Sequence, residues 1–159
     1  MSYITKTARI VIVTAGGAGL SKYAPGTCGS IAAFIAILFF PDDERYIWFC
    51  AAGIVITTIL SLALGRFAER DFSRKDPEAF VLDEVAGMWL AALSITKPPL
   101  HWLVAAFALF RWLDIKKPFG IKKLQKYPGG TGIVIDDLAA GAVALAIGLA
   151  GRGAASLAT

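Results

Sequence analysis

Long uncharged runs separated by short charged stretches set the pattern of this chain. The clearest run is Tyr46–Gly65, YIWFCAAGIVITTILSLALG, 20 residues without a charge. At a helical rise of about 1.5 Å per residue it spans about 30 Å, the thickness of a bilayer core. Four other apolar segments are shorter or carry charges at one end. Thr27–Phe40 is bounded by Pro25-Gly26 and Pro41. Phe80–Thr96 has Asp83 and Glu84 in its first turn and is closed by Pro98-Pro99. Leu100–Leu113 carries Arg111 in its last turn. Ile133–Ala150 carries Asp136 and Asp137 in its first turn. Acids near a helix N-terminus and a base near a C-terminus both suit the helix dipole. The pattern predicts an all-α fold: a polytopic membrane bundle of about five short or tilted helices, with residues 1–159 forming one domain.

Between the last two segments lies Asp114–Gly132, DIKKPFGIKKLQKYPGGTG, with lysines at 116, 117, 122, 123 and 126. It reads as a basic segment lying on an anionic lipid surface, or as a solvated lysine-rich loop. The start is less regular. Met1 to Arg9 is polar, and the apolar Ile10–Leu20 is broken by Gly16, Gly17 and Gly19. No internal repeat or linker divides the chain.

Composition agrees with the pattern. The chain is 57% apolar and 18% charged, against roughly 45–50% and 25% for globular domains. That excludes a disordered chain and argues against an ordinary soluble enzyme, because so small a domain has little interior in which to hide apolar surface. The formal net charge is +4, but the bases lie between apolar runs, which points to a membrane and not to nucleic acid. If the five segments alternate across a bilayer, one face receives residues 1–26, 66–84 and 111–137. That face holds 13 of the 16 basic residues, and the other face holds Arg45, Lys97 and Arg152. By the positive-inside rule the first face is cytoplasmic. Nine of the 12 acidic residues fall on the same face, which that rule does not require.

Four of those acids, Asp83, Glu84, Asp136 and Asp137, sit at the mouths of apolar helices, where desolvating a charge is costly. Gathered together they would repel one another unless a divalent ion neutralised them, and hard oxygen donors suit Mg²⁺ or Ca²⁺. The same pairs also suit two unrelated helix N-termini. Gly26-Thr27 leads into an apolar helix with Ser30 in its first turn. This is a plausible anion site, or a plain turn with Thr27 as N-cap. Arg111 and Lys117 straddle Asp114 and could hold phosphate oxygens or snorkel to lipid headgroups. Cys28 and Cys50 form neither a zinc motif nor a C-x5-R nucleophile motif. No D-x-D and no Walker loop is present, and the sole histidine, His101, falls on the opposite face. The route left for phosphate chemistry is metal-activated water.

Three blocks taken together resemble the bacterial phosphatidylglycerophosphatase A family. They are Gly17–Ser30 (GAGLSKYAPGTCGS), Val81–Trp89 (VLDEVAGMW), and Phe110–Pro118 (FRWLDIKKP) continuing through Gly129–Asp137 (GGTGIVIDD) to Gly141. The resemblance covers roughly residues 10–150 in order. It departs from the family pattern at Lys22 and at Phe119-Gly120, beside the motif residues. It implies an integral enzyme of the bacterial inner membrane, with its site facing the cytoplasm. The enzyme would use Mg²⁺ to hydrolyse the terminal phosphate monoester of phosphatidylglycerophosphate. It also implies that Asp83, Glu84, Asp136 and Asp137 hold the metal, with Asp114 catalytic beside them as a further ligand, a general base or a nucleophile, and that Thr27, Ser30, Arg111 and Lys117 hold the substrate. The implied partners are that substrate and the membrane lipids, with no nucleic acid. The alternative from another class is a small ion-coupled transporter or channel subunit, which would spread its carboxylates across the membrane depth. A soluble all-helical protein binding an amphiphile is the third reading.

Overall fold

The computed structural model describes residues 3–73, 77–118, 121 and 130–157. Those residues form six α-helices, α1 (Tyr3–Val13), α2 (Pro25–Leu38), α3 (Arg45–Asp71), α4 (Leu82–Ala91), α5 (Leu100–Lys116) and α6 (Gly130–Leu157), plus one 3-10 turn at Ala18–Leu20. No strand occurs among them. All five apolar segments are helical, and α2 to α6 alternate in direction. The start of α2 lies by the starts of α4 and α6 and by the end of α5. The far end of α2 meets Lys97, which donates to the carbonyls of Leu38 and Phe40.

Lengths divide the bundle. α3 has 27 residues and α6 has 28, long enough to cross a bilayer core. α2, α4 and α5 have 14, 10 and 17 residues, about 21, 15 and 26 Å at the helical rise. The predicted helix over Phe80–Thr96 therefore closes early, at Ala91, and residues 92–99 run on as irregular chain. Pro98 and Pro99 set only the outer limit of a helix here, and the chain leaves it earlier, at the Ala92 cap. α1 is longer than the sequence suggests, because one helix joins the polar start to Ile10–Val13. The helix stops at a turn where Gly16 and Gly17 take φ of 73° and 102°, a region glycine enters without strain.

α3 stays helical through the β-branched stretch Ile54–Thr58, where propensity is weak. Lipid supplies no hydrogen-bond partner to an opened backbone, so the helix is the economical state. Thr57 adds to this by donating its Oγ1 to the Gly53 carbonyl at 2.7 Å. Only 17% of the apolar stretch of α3 is buried, and Val55, Ile56, Ile59 and Leu62 face outward. A contiguous apolar surface of that kind marks lipid contact, as expected of a membrane protein with two helices long enough to span.

The core lies between α2, α4, α5 and α6 around Ile37, Met88, Leu103, Phe110 and Leu113. Two long-range hydrogen bonds fix it. Trp89 Nε1 donates to the Ala33 carbonyl at 3.0 Å, and Tyr46 Oη donates to the Ala92 carbonyl at 2.9 Å. Tyr46→Phe leaves a buried carbonyl without its partner. The expected cost is about 1–3 kcal/mol, read as a lower thermal midpoint in detergent with helical circular dichroism retained at room temperature.

Helices α4 and α6 cross with their backbones in close contact at Gly87 and Gly141. A Cβ built on Gly141 would stand 2.5 Å from the Gly87 carbonyl oxygen. One built on Gly87 would stand 2.6 Å from the Phe110 ring and 2.8 Å from the Asp137 carbonyl oxygen. Only glycine permits this approach, and it draws the start of α6 against α4.

Candidate active site

The site begins at the turn before α2. Thr14 Oγ1 donates to the Ile10 carbonyl at 2.8 Å and accepts from the Gly17 amide at 3.1 Å. The glycines beyond it pack on the strand of chain that enters α4. A Cβ on Gly19 would strike the Ala79 carbonyl, and one on Gly29 would lie 2.6 Å from Val81 Cβ. The Val81 amide donates to the Val13 carbonyl at 3.0 Å. The first motif block thus fixes where α4 starts, and with it Asp83 and Glu84.

α2 itself starts at Pro25, with Ala24 as N-cap at φ 46° and no side-chain cap. Proline at the first helical position suits its fixed φ. Thr27 is therefore a first-turn residue and not the cap. It is half-buried, and its side chain makes no described hydrogen bond. Gly26 touches the site directly: a Cβ there would strike the Glu84 carboxylate and lie 3.3 Å from Arg111 Nη2.

Three helices then deliver charged side chains to one cavity of about 240 Å³. Asp83 and Glu84 come from α4, Asp114 from α5, Lys117 from the cap of α5, and Asp136 and Asp137 from α6. Asp83, Asp114, Asp136 and Asp137 are all buried. One carboxylate oxygen each from Asp83, Glu84 and Asp137 lies within 4.8 Å of the others. Glu84 Oε2, Asp136 Oδ1 and Asp137 Oδ2 are buried with no hydrogen-bond partner among the described residues. Buried polar atoms are normally paired, so these three oxygens are prepared for something else. The donor set is all hard oxygen, which fits a divalent cation.

The cations form a chain around these acids. Arg111 Nη1 donates to Asp114 Oδ2 at 2.7 Å and to Ser30 Oγ at 3.2 Å, and Ser30 Oγ donates to the Gly26 carbonyl at 3.0 Å. Lys117 pairs with Asp136 and lies 3.8 Å from Asp114 Oδ1. Burial alone would lower the Lys117 ammonium. The hydrogen bond to Asp136 and the charges of Asp136, Asp137 and Asp114 outweigh it and hold the ammonium above the ordinary lysine range. Among the described residues two cations, Arg111 and Lys117, face six carboxylates including Glu78, so their acidic charge exceeds the basic.

The structure brings together Asp83, Glu84, Asp114, Asp136, Asp137, Arg111, Lys117 and Ser30. Thr27 is nearby in α2 but does not line the cavity. Lys117 lies in the acidic site and not on a lipid surface. Asp114 to Lys116 belong to α5 and Gly130 to Gly132 to α6, which trims the proposed basic segment at both ends. Lys122, Lys123 and Lys126 lie outside the described residues. The sequence marks Gly26 only as part of an anion-site turn, and Gly87 and Gly141 carry no signal of their close packing. Pro77, Glu78, Phe80 and Ile115 also line the cavity, and their only signal was closeness in sequence to acidic motif residues. His101 stacks beside Trp102 away from the site, with ring centres 5.8 Å apart.

Ser30→Ala tests the Arg111 support. Loss of one hydrogen bond to a charged group, at about 1.5 kcal/mol, is expected to lower kcat/KM about tenfold. Initial-rate kinetics would check this.

Comparison with known proteins follows the same residues. A family model described as Phosphatidylglycerophosphatase A matches residues 11–152. A Bacteroides thetaiotaomicron protein provisionally named a phosphatidylinositol-3-phosphatase is 36% identical over 137 residues, covering 83% of this chain and 86% of that protein. Phosphatidylglycerophosphatase A of Escherichia coli K12 is 34% identical, covering 82% of this chain and 76% of that protein. The Haemophilus influenzae protein of the same name is 34% identical, covering 82% and 80%. No solved structure matches. Motif blocks, helix order and the shared acidic cavity agree with the family match, and the chain belongs to the phosphatidylglycerophosphatase A family.

Proposed function

We propose that this chain is a phosphatidylglycerophosphatase: it hydrolyses the terminal phosphate monoester of phosphatidylglycerophosphate, giving phosphatidylglycerol and inorganic phosphate. The observation that carries the chemistry is the set of orphaned, buried carboxylate oxygens gathered from α4 and α6 beside two cations. Family membership and the names of the two phosphatidylglycerophosphatase relatives carry the substrate.

Asp83, Glu84, Asp136 and Asp137 would hold Mg²⁺, which when bound neutralises phosphate charge and makes water a competent nucleophile near neutral pH. Arg111 offers a planar fork to phosphoryl oxygens and Lys117 a point charge. Asp114 lies between them and sets the aim of both, so its catalytic part is to position. Ser30 steadies Arg111 from α2. Thr27 contributes through the first turn of α2, whose leading amides have no partner within the helix. Acyl chains remain in the bilayer along the exposed face of α3. The 13-to-3 division of basic residues supports a site on the cytoplasmic side of the inner membrane. Clustering of the carboxylates at one end argues against the transporter reading, which needs them along the depth.

The Bacteroides relative's name raises a second lipid, a phosphoinositide, whose phosphate is also a monoester. The test is phosphate release by the purified protein from phosphatidylglycerophosphate and from phosphatidylinositol 3-phosphate in matched mixed micelles. The expected result is a kcat/KM for phosphatidylglycerophosphate at least about tenfold higher. Preference for the inositol lipid, or no release from either, would overturn the assignment.

A further inference from the structure

The end of the bundle away from the carboxylates carries a feature that the reaction does not use. Two adjoining cavities open there, of about 210 and 940 Å³, sharing Leu93, Trp102, Leu145, Leu149 and Arg152 as walls. Together they make an apolar groove between α5 and α6, with one cation at its mouth. Arg152 lies 15 residues beyond Asp137 on α6, about 22 Å along the helix.

Three basic residues belong to this end. Arg45 is paired with Asp43 at 2.9 Å, and Lys97 is paired with Asp42. Arg152 differs. Its described contact is a hydrogen bond from Nη1 to Ser94 Oγ at 2.8 Å, a neutral partner, and it is half-buried. With no carboxylate partner among the described residues, this half-buried guanidinium keeps its fork available for a bidentate anion. Trp102 beside it is the aromatic type enriched at membrane interfaces. An apolar groove does not hold water well, but at bilayer depth an acyl chain fills it at no desolvation cost.

We infer that this groove binds a phospholipid at the second face of the membrane, with its phosphate on Arg152 and an acyl chain between α5 and α6. Charge favours an anionic lipid, because the guanidinium has no carboxylate partner among the described residues. The site is separate from the acidic cavity and stands whether or not the proposed activity holds.

Native mass spectrometry of the detergent-solubilised full chain tests this with two probes, dioleoyl phosphatidylglycerol and dioleoyl phosphatidylcholine. Wild type is expected to retain one phosphatidylglycerol more strongly than phosphatidylcholine. Arg152→Ala is expected to weaken that retention about tenfold, the loss of one hydrogen-bonded charge contact. Arg152→Lys should restore part of it, and Arg45→Ala should leave it unchanged. Ala106→Trp fills the groove and should remove retention of both lipids. Glycerol 3-phosphate, which has a phosphate but no acyl chain, should not compete. Equal retention by wild type and Arg152→Ala would overturn the inference. So would loss of retention in Asp137→Asn with Arg152 intact, which would place the lipid in the acidic site. A two-chain mass blocked by Ala106→Trp would identify a second copy as the occupant and overturn it too.

Discussion

Asp137→Asn is expected to lower phosphate release about 10³-fold while leaving the protein at least as stable as wild type. Asp137 is buried, and Asp83, Glu84 and Asp137 each offer an oxygen within a 4.8 Å span. Asparagine keeps the shape and removes the charge. A divalent ion bound by such a set contributes several kcal/mol to transition-state stabilisation, and each 1.36 kcal/mol is a factor of ten in rate. The direction of the stability change is the more diagnostic readout. In the metal-free protein the carboxylates repel in a poorly solvated cavity. Removing one charge relieves that repulsion, so the thermal midpoint in EDTA should hold or rise. A residue that merely supports the fold would lose stability and activity together. If Asp83→Asn and Asp137→Asn both leave turnover intact, the metal-site proposal is wrong.

The second large effect is expected from Gly87→Ala, a substitution that touches no charged side chain. Helix propensity favours alanine by up to about 1 kcal/mol. Against this, the new Cβ would stand 2.6 Å from the Phe110 ring and 2.8 Å from the Asp137 carbonyl oxygen. Overpacking of that kind costs about 1–3 kcal/mol, so the net change is a loss of up to about 2 kcal/mol. The ring can tilt, but the Asp137 backbone can yield only by moving α6 away from α4. That motion separates Asp137 from Asp83 and Glu84, and a misplacement near 1 Å can cost about 10²-fold in rate. The expected outcome is therefore a modest fall in thermal midpoint with a disproportionate fall in kcat. Reduced apparent affinity for Mg²⁺, read from the activity titration, would accompany it. A change in stability alone would show that the crossing does not set the site.

Much of this arrangement was legible in the sequence, for identifiable reasons. Tyr46–Gly65 declares a long helix because 20 uncharged residues leave no other economical state in lipid. The alternation of α2 to α6 follows from the charge count, since the basic stretches must fall on one face. The acidic pairs declare themselves through their cost at apolar helix mouths. What failed concerns positions where geometry and not polarity decides. Lys117 reads two ways, as part of a basic surface segment and as a phosphate contact beside Asp114, and a cap with φ of 46° turns it toward Asp136. Thr27 reads as a cap, yet Ala24 in a left-handed conformation lets Pro25 start the helix earlier. Gly87 and Gly141 carry no signal of their partner, because the close crossing is a property of two helices. α1 was divided by a change of polarity that a helix tolerates within three turns. The three motif blocks were legible as a family pattern. Their meaning became physical only when Gly19 and Gly29 were seen to seat the chain that leads to Asp83.

The central claim is that a divalent cation held by Asp83, Glu84, Asp136 and Asp137 drives hydrolysis of a lipid phosphate monoester. The most direct measurement is phosphate release from phosphatidylglycerophosphate by the purified protein, first in EDTA and then across a Mg²⁺ titration. The account predicts no release above background in EDTA and a saturable rise with Mg²⁺. Release that is equally fast in EDTA, or absent at every Mg²⁺ concentration, would contradict it.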